Sequence, residues 1–211
     1  HRGDMGMHYT SVPNIMKVIE PLFLDELYEE FEKAKGYAKK LNLLHLRIQN
    51  IKFFDSACGS GNFLIISYKE IRKLEMLIFK EGGLLICPSI KLTQFYGIEL
   101  DDFAHEVAIL SLWLAEHQMN VLFKKEFGTV PPALPLQDGG NIVHGNATRL
   151  DWEKVCPKNI NDEIYILGNP PYLGFLQQNR IQKEDMDYVF ADRDTIRKLD
   201  YISCWFYLGA K

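Results

Sequence analysis

A short apolar run that ends in an acid and passes at once into a glycine turn leaves a chain few ways to fold. Here the run is Ile51-Lys52-Phe53-Phe54-Asp55 and the turn is Ser56-Ala57-Cys58-Gly59-Ser60-Gly61. Asn62 to Lys80 follows, with Leu64, Tyr68, Ile71, Leu74 and Ile78 on one stripe at helical spacing. Strand, tight turn and long helix open a parallel α/β unit, because a parallel neighbour is reached only by a crossover. The pattern then recurs. Gln94 to Glu99 reads as a second strand, and Asp102 to Val121 as a helix expected to pack through Phe103, Val107, Leu110 and Leu114. Ile142-Val143-His144 and Glu163 to Leu167 read as two more strands. This alternation predicts a doubly wound, mostly parallel α/β sheet, in which ligands bind at the carboxyl ends of the strands.

The flanks are helical. Residues from Pro13 to about Leu46 read as two helical pieces broken near Gly36, with Ile15, Ile19, Phe23 and Leu27 at helical spacing and a kink expected at Pro21. The chain from Arg180 to Lys211 reads as helix with Tyr201, Cys204, Trp205 and Leu208 on one face, and Phe127 to Asn141 as an irregular loop. Two segments are expected: an N-terminal helical one over 1–48 and an α/β core over 49–211. The chain opens on His1 rather than Met, which suggests a piece of a longer polypeptide.

Composition removes some function classes. No apolar run reaches the ~18 residues of a membrane span, and no signal-peptide pattern opens the chain. Cys58, Cys87, Cys156 and Cys204 are scattered with no Cys-x-x-Cys pair, which argues against zinc or a disulfide framework and fits a cytoplasmic protein. The net charge of −4 is unlike a domain that grips nucleic acid by phosphate contacts alone. Lys33, Lys35, Lys39, Lys40 and Arg47 make a basic stripe, better read as a solvated helix face.

The glycine turn carries chemistry of its own. Gly59 and Gly61 let the backbone turn sharply and approach a ligand closely, with Ala57, Cys58, Asn62 and Phe63 around them. The third glycine of a nicotinamide fingerprint is missing, since Leu64 stands there, and so is the lysine of a phosphate loop. Asp55 favours a positively charged amino or sulfonium group over a pyrophosphate. Glu99, followed by Leu100, ends the next strand where a carboxylate can accept both ribose hydroxyls of an adenosine. After the third strand, Asn146 and Ala147 are placed to meet the adenine.

Asn169-Pro170-Pro171-Tyr172 is the most specific feature. A nucleobase amine is a poor nucleophile because its lone pair is delocalised. A carbonyl oxygen from Asn169 and the backbone oxygen of Pro170 can each accept one N–H, aiming the lone pair at an electrophile. Pro170 and Pro171 stiffen the loop, and Tyr172 offers a face for base stacking, worth roughly 1–3 kcal/mol. Transfer from a sulfonium needs neither metal nor acid–base pair, so His45, His105, His117 and His144 are expected to be structural and no metal site is expected.

In this order the motifs resemble the gamma-class N6-adenine DNA methyltransferases, especially the methyltransferase part of MmeI-like combined restriction–modification enzymes. The resemblance implies a Rossmann-like class I S-adenosylmethionine-dependent core in a bacterial or archaeal cytoplasm. It implies that Tyr9, Thr10 and Ser11, in the segment from Gly6, close over the methionine end of the cofactor. Asp55 to Gly61 would be the S-adenosylmethionine loop, Glu99 the ribose ligand, and Asn169 to Tyr172 the catalytic tetrapeptide. Asn146 departs from the family, many of whose members carry Asp there; an Asn still accepts a bond from the adenine. The family continues into further strands, a second base-stacking aromatic and a target-recognition domain. Double-stranded DNA is therefore expected to be gripped mainly outside this chain, which alone would bind cofactor but methylate poorly. Two alternatives stay open: an N-methyltransferase acting on a protein glutamine or an RNA base, and a non-catalytic subunit that binds DNA or a partner protein.

Overall fold

The computed structural model describes residues 10–128, 140–191 and 198–211. Four parallel strands, β1 (Lys52–Asp55), β2 (Phe95–Glu99), β3 (Asn141–His144) and β4 (Ile164–Ile166), form one sheet in the order β3-β2-β1-β4. The chain thus winds outward from β1 through β2 to β3, then returns to pair β4 with the other side of β1. Phe53 lies opposite Phe95 in one neighbour and Tyr165 in the other. The doubly wound expectation holds, and the direction of winding reverses between β1 and β4, the place where open α/β sheets bind their ligands at the carboxyl ends.

Helices cover both faces. On one lie α1 (Val12–Ile19), α2 (Asp25–Ala34), α3 (Ala38–Asn50), α4 (Asn62–Lys80) and α5 (Asp102–Phe127). They bury Ile15, Ile19, Phe23, Leu27, Leu64, Tyr68, Ile71, Leu74 and Ile78 with Phe53 and Phe95 in one core, as the helical spacing predicts. Phe53 stacks on Phe95 at 5.0 Å, and Phe23 and Tyr68 meet these rings edge-on. The opposite face buries Phe54, Ile98, Ala147 and Cys156 beneath Trp152 of α6 (Trp152–Val155) and Trp205 of α8 (Ser203–Gly209). A satellite cluster of Met186, Val189, Phe190, Tyr201 and Cys204 joins α8 to α7 (Arg180–Val189).

Three details refine the sequence reading. At Pro21 the helical run is interrupted without ending: Glu20–Leu24 widens into a π turn, with the Asp25 N–H reaching back to the Glu20 carbonyl. Proline has no N–H for the α-helical ladder, and the wider turn absorbs the gap. In the tail, the described residues include helices over Arg180–Val189 and Ser203–Gly209. The face of α5 is the main correction. Its buried side is Ala104, Ala108, Leu112, Ala115, Met119 and Phe123, whereas Phe103, Leu110 and Leu114 are 78%, 59% and 48% exposed and Val107 is half-buried. Two apolar stripes run along this helix, and the sheet takes the one rich in alanine. Small side chains let α5 approach α4 closely: a Cβ added at Gly61 would already touch Ala108 at 3.4 Å.

Three residues of the basic stripe are paired locally. Lys33 pairs with Glu29 and Lys35 with Glu32, while Arg47 is held by Glu26, Glu30 and Glu163, tying α2, α3 and the start of β4 together. No helix of the described residues is long and apolar enough to cross a membrane.

Candidate active site at the strand switch point

The site grows from the end of β1. Asp55 is the last residue of that strand and is 1% exposed. Its Oδ1 accepts the Ala57 N–H at 3.1 Å, which bends the chain into the glycine turn. Gly59 and Gly61 both take positive φ, 55° and 84°, and Gly61 caps α4. A side chain at Gly61 would rest on Ala108, whereas one at Gly59 would meet nothing within 4 Å, so the turn is open at Gly59.

Glu99 holds the turn from β2. Its Oε2 accepts the Gly59 N–H at 2.7 Å and its Oε1 the Asp101 N–H at 2.8 Å, while the Cys58 N–H reaches the Ile98 carbonyl. Each carboxylate oxygen keeps a second lone pair, which a diol can use. Cys58 differs from its neighbours in the motif. Its thiol packs inward against Gly97, and burial pushes its pKa up, so it remains a neutral filler and offers only backbone to a ligand. Ala57, Gly59 and Asn62 are half-buried, Phe63 is buried in the core, and Leu100 is exposed.

The other half of the site arrives from β4. Pairing with β1 continues one residue past the strand, where the Leu167 N–H donates to the Phe54 carbonyl at 2.9 Å. This sets Gly168 (φ 140°) flat against Asp55: an added Cβ would lie 2.3 Å from Oδ1. The tetrapeptide therefore starts directly beside the glycine turn. Asn169 is exposed and its amide nitrogen lies 3.5 Å from the Thr10 hydroxyl, which leaves Oδ1 facing away as an acceptor. Pro170 and Pro171 are half-buried, and Tyr172 is 62% exposed. Ser11 is the residue before α1; Tyr9 lies outside the described residues.

Burial sets the electrostatics. Loss of water raises the Asp55 carboxyl to about 7, with the nearby Glu99 charge adding to the rise and the Ala57 hydrogen bond opposing it. A cation brought beside it would favour the ionised form and offset that cost. Two buried or half-buried acids beside an open glycine turn thus fit a ligand with a positive group at one end and a diol at the other. Asp102, His105 and Glu106 bring ligand-type atoms within 4.8 Å of one another on the first turn of α5, but both carboxylates are exposed and the His105 ring also bonds the Ile142 carbonyl.

Two parts of the site were missed by sequence reasoning. Trp205 of α8 donates its indole N–H to the Ser56 carbonyl at 3.2 Å, pressing the last helix onto the glycine turn. Asp185 of α7 bonds Asn146 at 3.0 Å. Asn146 is half-buried after β3 and its Oδ1 accepts both donors of Thr148, the N–H at 2.9 Å and the hydroxyl at 2.7 Å. Gly168 carried a signal, a glycine at a strand end; Asp185 carried none.

A doubly wound parallel sheet whose motif-bearing turns lie at the carboxyl ends of its strands is the Rossmann-like α/β architecture that the sequence predicts. Comparison with known proteins narrows this. Residues 31–211 match the family model described as MmeI, DNA-methyltransferase domain, and the chain belongs to that family. It is 55% identical over 216 residues to DNA methyltransferase A of Bacillus subtilis (strain 168), covering 100% of this chain and 25% of that protein. It is 27% identical over 172 residues to the type II restriction enzyme and methyltransferase RM.Eco57I of Escherichia coli, covering 67% of this chain and 16% of that protein. The solved structure of the type IIL restriction–modification enzyme MmeI in complex with DNA superposes with a TM-score of 0.90 at 40% identity, over 99% of this chain and 29% of that one. The chain thus spans about a quarter of the curated relative it matches over its whole length.

Proposed function

We propose that this chain is the catalytic core of a DNA methyltransferase of the restriction–modification kind, that it transfers methyl from S-adenosylmethionine, and that the acceptor is the N6 amine of a flipped-out adenine. The observation that carries the reading is the contact between Gly168 and Asp55. It brings the cofactor-type turn and the amine-activating tetrapeptide, far apart in sequence, to adjacent strand ends. The donor set fits the cofactor: Asp55 for its cationic end, Glu99 for its ribose, and an open Gly59 for close approach. Bound there, S-adenosylmethionine supplies an electrophilic methyl with a neutral thioether leaving group.

The chain's own residues do the rest. Asn169 Oδ1 and the Pro170 carbonyl accept the two N–H groups of the target amine and orient its lone pair; once the C–N bond has formed and the C–S bond has broken, the cationic nitrogen gives its surplus proton to water. The Thr10 hydroxyl takes the Asn169 amide nitrogen, which keeps the oxygen side for the base. Tyr172 supplies a stacking face that helps to offset the few kcal/mol cost of extruding a base. Division into a helical segment over 1–48, closing on the cofactor through Tyr9, Thr10 and Ser11, and a core over 49–211 belongs to the same proposal. DNA is gripped mainly by other parts of a longer polypeptide, in keeping with the charge of −4. Calorimetric titration of S-adenosylmethionine, with Asp55→Ala as control, tests the cofactor assignment. Saturable binding lost in the variant is expected; equal binding by the variant would move the cofactor elsewhere.

A further inference from the structure

Asp185 is a buried carboxylate, 2% exposed, on a helix the mechanism above does not use. A charge so placed must be paired to persist, and its partners are specific. Oδ2 accepts the Asn146 amide at 3.0 Å and the Tyr201 hydroxyl at 2.8 Å, and Oδ1 accepts the Arg149 Nε–H at 2.8 Å. Arg149 in turn lies over the Tyr188 ring at 4.3 Å, on the same helix as Asp185. The other side of Asn146 is closed by Thr148, whose N–H and hydroxyl both donate to Oδ1. Acceptors on one side and donors on the other leave the Asn146 amide a single orientation. An asparagine gains its selectivity from such a lock, since a free amide rotates and exchanges donor for acceptor at the edge a ligand meets.

The lock also reaches the tetrapeptide. The Tyr201 N–H donates to the carbonyl of Leu173, the residue after Tyr172, and Asp200 accepts the Leu173 N–H at 2.7 Å. Tyr201 therefore spans the two halves of the site, backbone to the tetrapeptide's end and hydroxyl to Asp185.

Resting on the cofactor reading above, we infer that Asp185 is a positioning residue: with Oδ1 of Asn146 filled by Thr148, it turns the remaining Nδ2–H of that amide to the purine edge, where it suits the N1 acceptor of the cofactor's adenine and not the N–H of a 6-oxopurine, and through Tyr201 it ties that turn to the loop holding Asn169. In a chain with Asn at 146, the negative charge sits one layer back, on α7.

The test is made on the intact protein by calorimetry, using S-adenosylhomocysteine and its inosine analogue, in which the purine 6-amine is replaced by a carbonyl. The quantity read is the ratio of the two dissociation constants. Asp185→Asn exchanges a charge-assisted bond for a neutral one and loosens the acceptor side of the lock while Thr148 still holds Oδ1, so the ratio should fall several-fold. Asn146→Asp alone sets two carboxylates together and should also weaken binding of the adenosine compound. The double exchange Asn146→Asp with Asp185→Asn reverses donor and acceptor across the same contact and should restore most of the ratio. Because a ratio is read, general loss of stability moves both constants together and leaves it unchanged. An unchanged ratio in Asp185→Asn, with binding intact, would overturn this inference alone. No saturable binding of either compound by the unsubstituted protein would overturn it together with the cofactor reading.

Discussion

Replacing Asp55 by asparagine should make the cofactor-free protein more stable while destroying its site. The carboxyl is buried at a strand end, touching Gly168 and near Glu99, and these surroundings raise it from 3.8 to about 7. A shift of that size corresponds to about 4 kcal/mol, at 1.36 kcal/mol per pKa unit. The sign follows from proton counting. Between the unfolded value near 4 and the folded value near 7, the native state holds the proton and the unfolded state has lost it, so stability falls as pH rises through this window. Asparagine has nothing to ionise and still accepts from the Ala57 N–H. At pH 8 the variant should melt higher, by on the order of 10 °C for a domain of this size, and at pH 4 the gain should vanish. Differential scanning fluorimetry at both pH values, with and without S-adenosylmethionine, reads the effect; ligand should raise the melting point of the parent alone. Equal melting points at pH 8 would refute the argument that the carboxylate is held at a cost to folding. Such a trade of stability for function is common at binding sites.

The same group makes cofactor binding pH-dependent. Below about 7 the affinity should fall roughly tenfold per pH unit as Asp55 takes a proton, and calorimetry in buffers of different ionisation enthalpy should show a proton released on binding; binding constant from pH 5.5 to 8 would contradict it. Gly168→Ala drives a Cβ into the Asp55 carboxyl at a backbone angle that side chains rarely adopt, so cofactor binding should be lost; retained binding would show that the β4 loop moves away freely. Trp205→Phe removes the hydrogen bond to Ser56 and should weaken cofactor binding several-fold, about the 0.5–1.5 kcal/mol of one hydrogen bond, as read by calorimetry. On α5, Leu112→Ala should cost about 2–5 kcal/mol in chemical denaturation, whereas Leu110→Lys should change stability by at most about 0.5 kcal/mol.

The strands were legible as short apolar runs bounded by turns, and the face of α4 because it had one apolar stripe at one period. On α4 every position of the stripe from Leu64 to Ile78 is buried. On α5 the rule misled. The larger side chains Phe103, Leu110 and Leu114 looked like the core face, yet the helix packs through alanines, because close approach to α4 counts for more than side-chain size. Within the site, Asp55, Glu99 and Asn169 announced themselves by standing at strand ends. Asp185 and Trp205 did not, since their roles arise from how α7 and α8 fold back over the turns. No local pattern encodes such a contact, and only the assembled tertiary structure shows it.

Methylation of adenine is read by incubating the intact protein with duplex DNA and methyl-labelled S-adenosylmethionine, then digesting the DNA and identifying the labelled nucleoside by mass spectrometry. Label should appear in N6-methyldeoxyadenosine and be lost when Asn169 is replaced by alanine. Label in a methylated cytosine, or label in adenine that survives the substitution, would contradict that expectation.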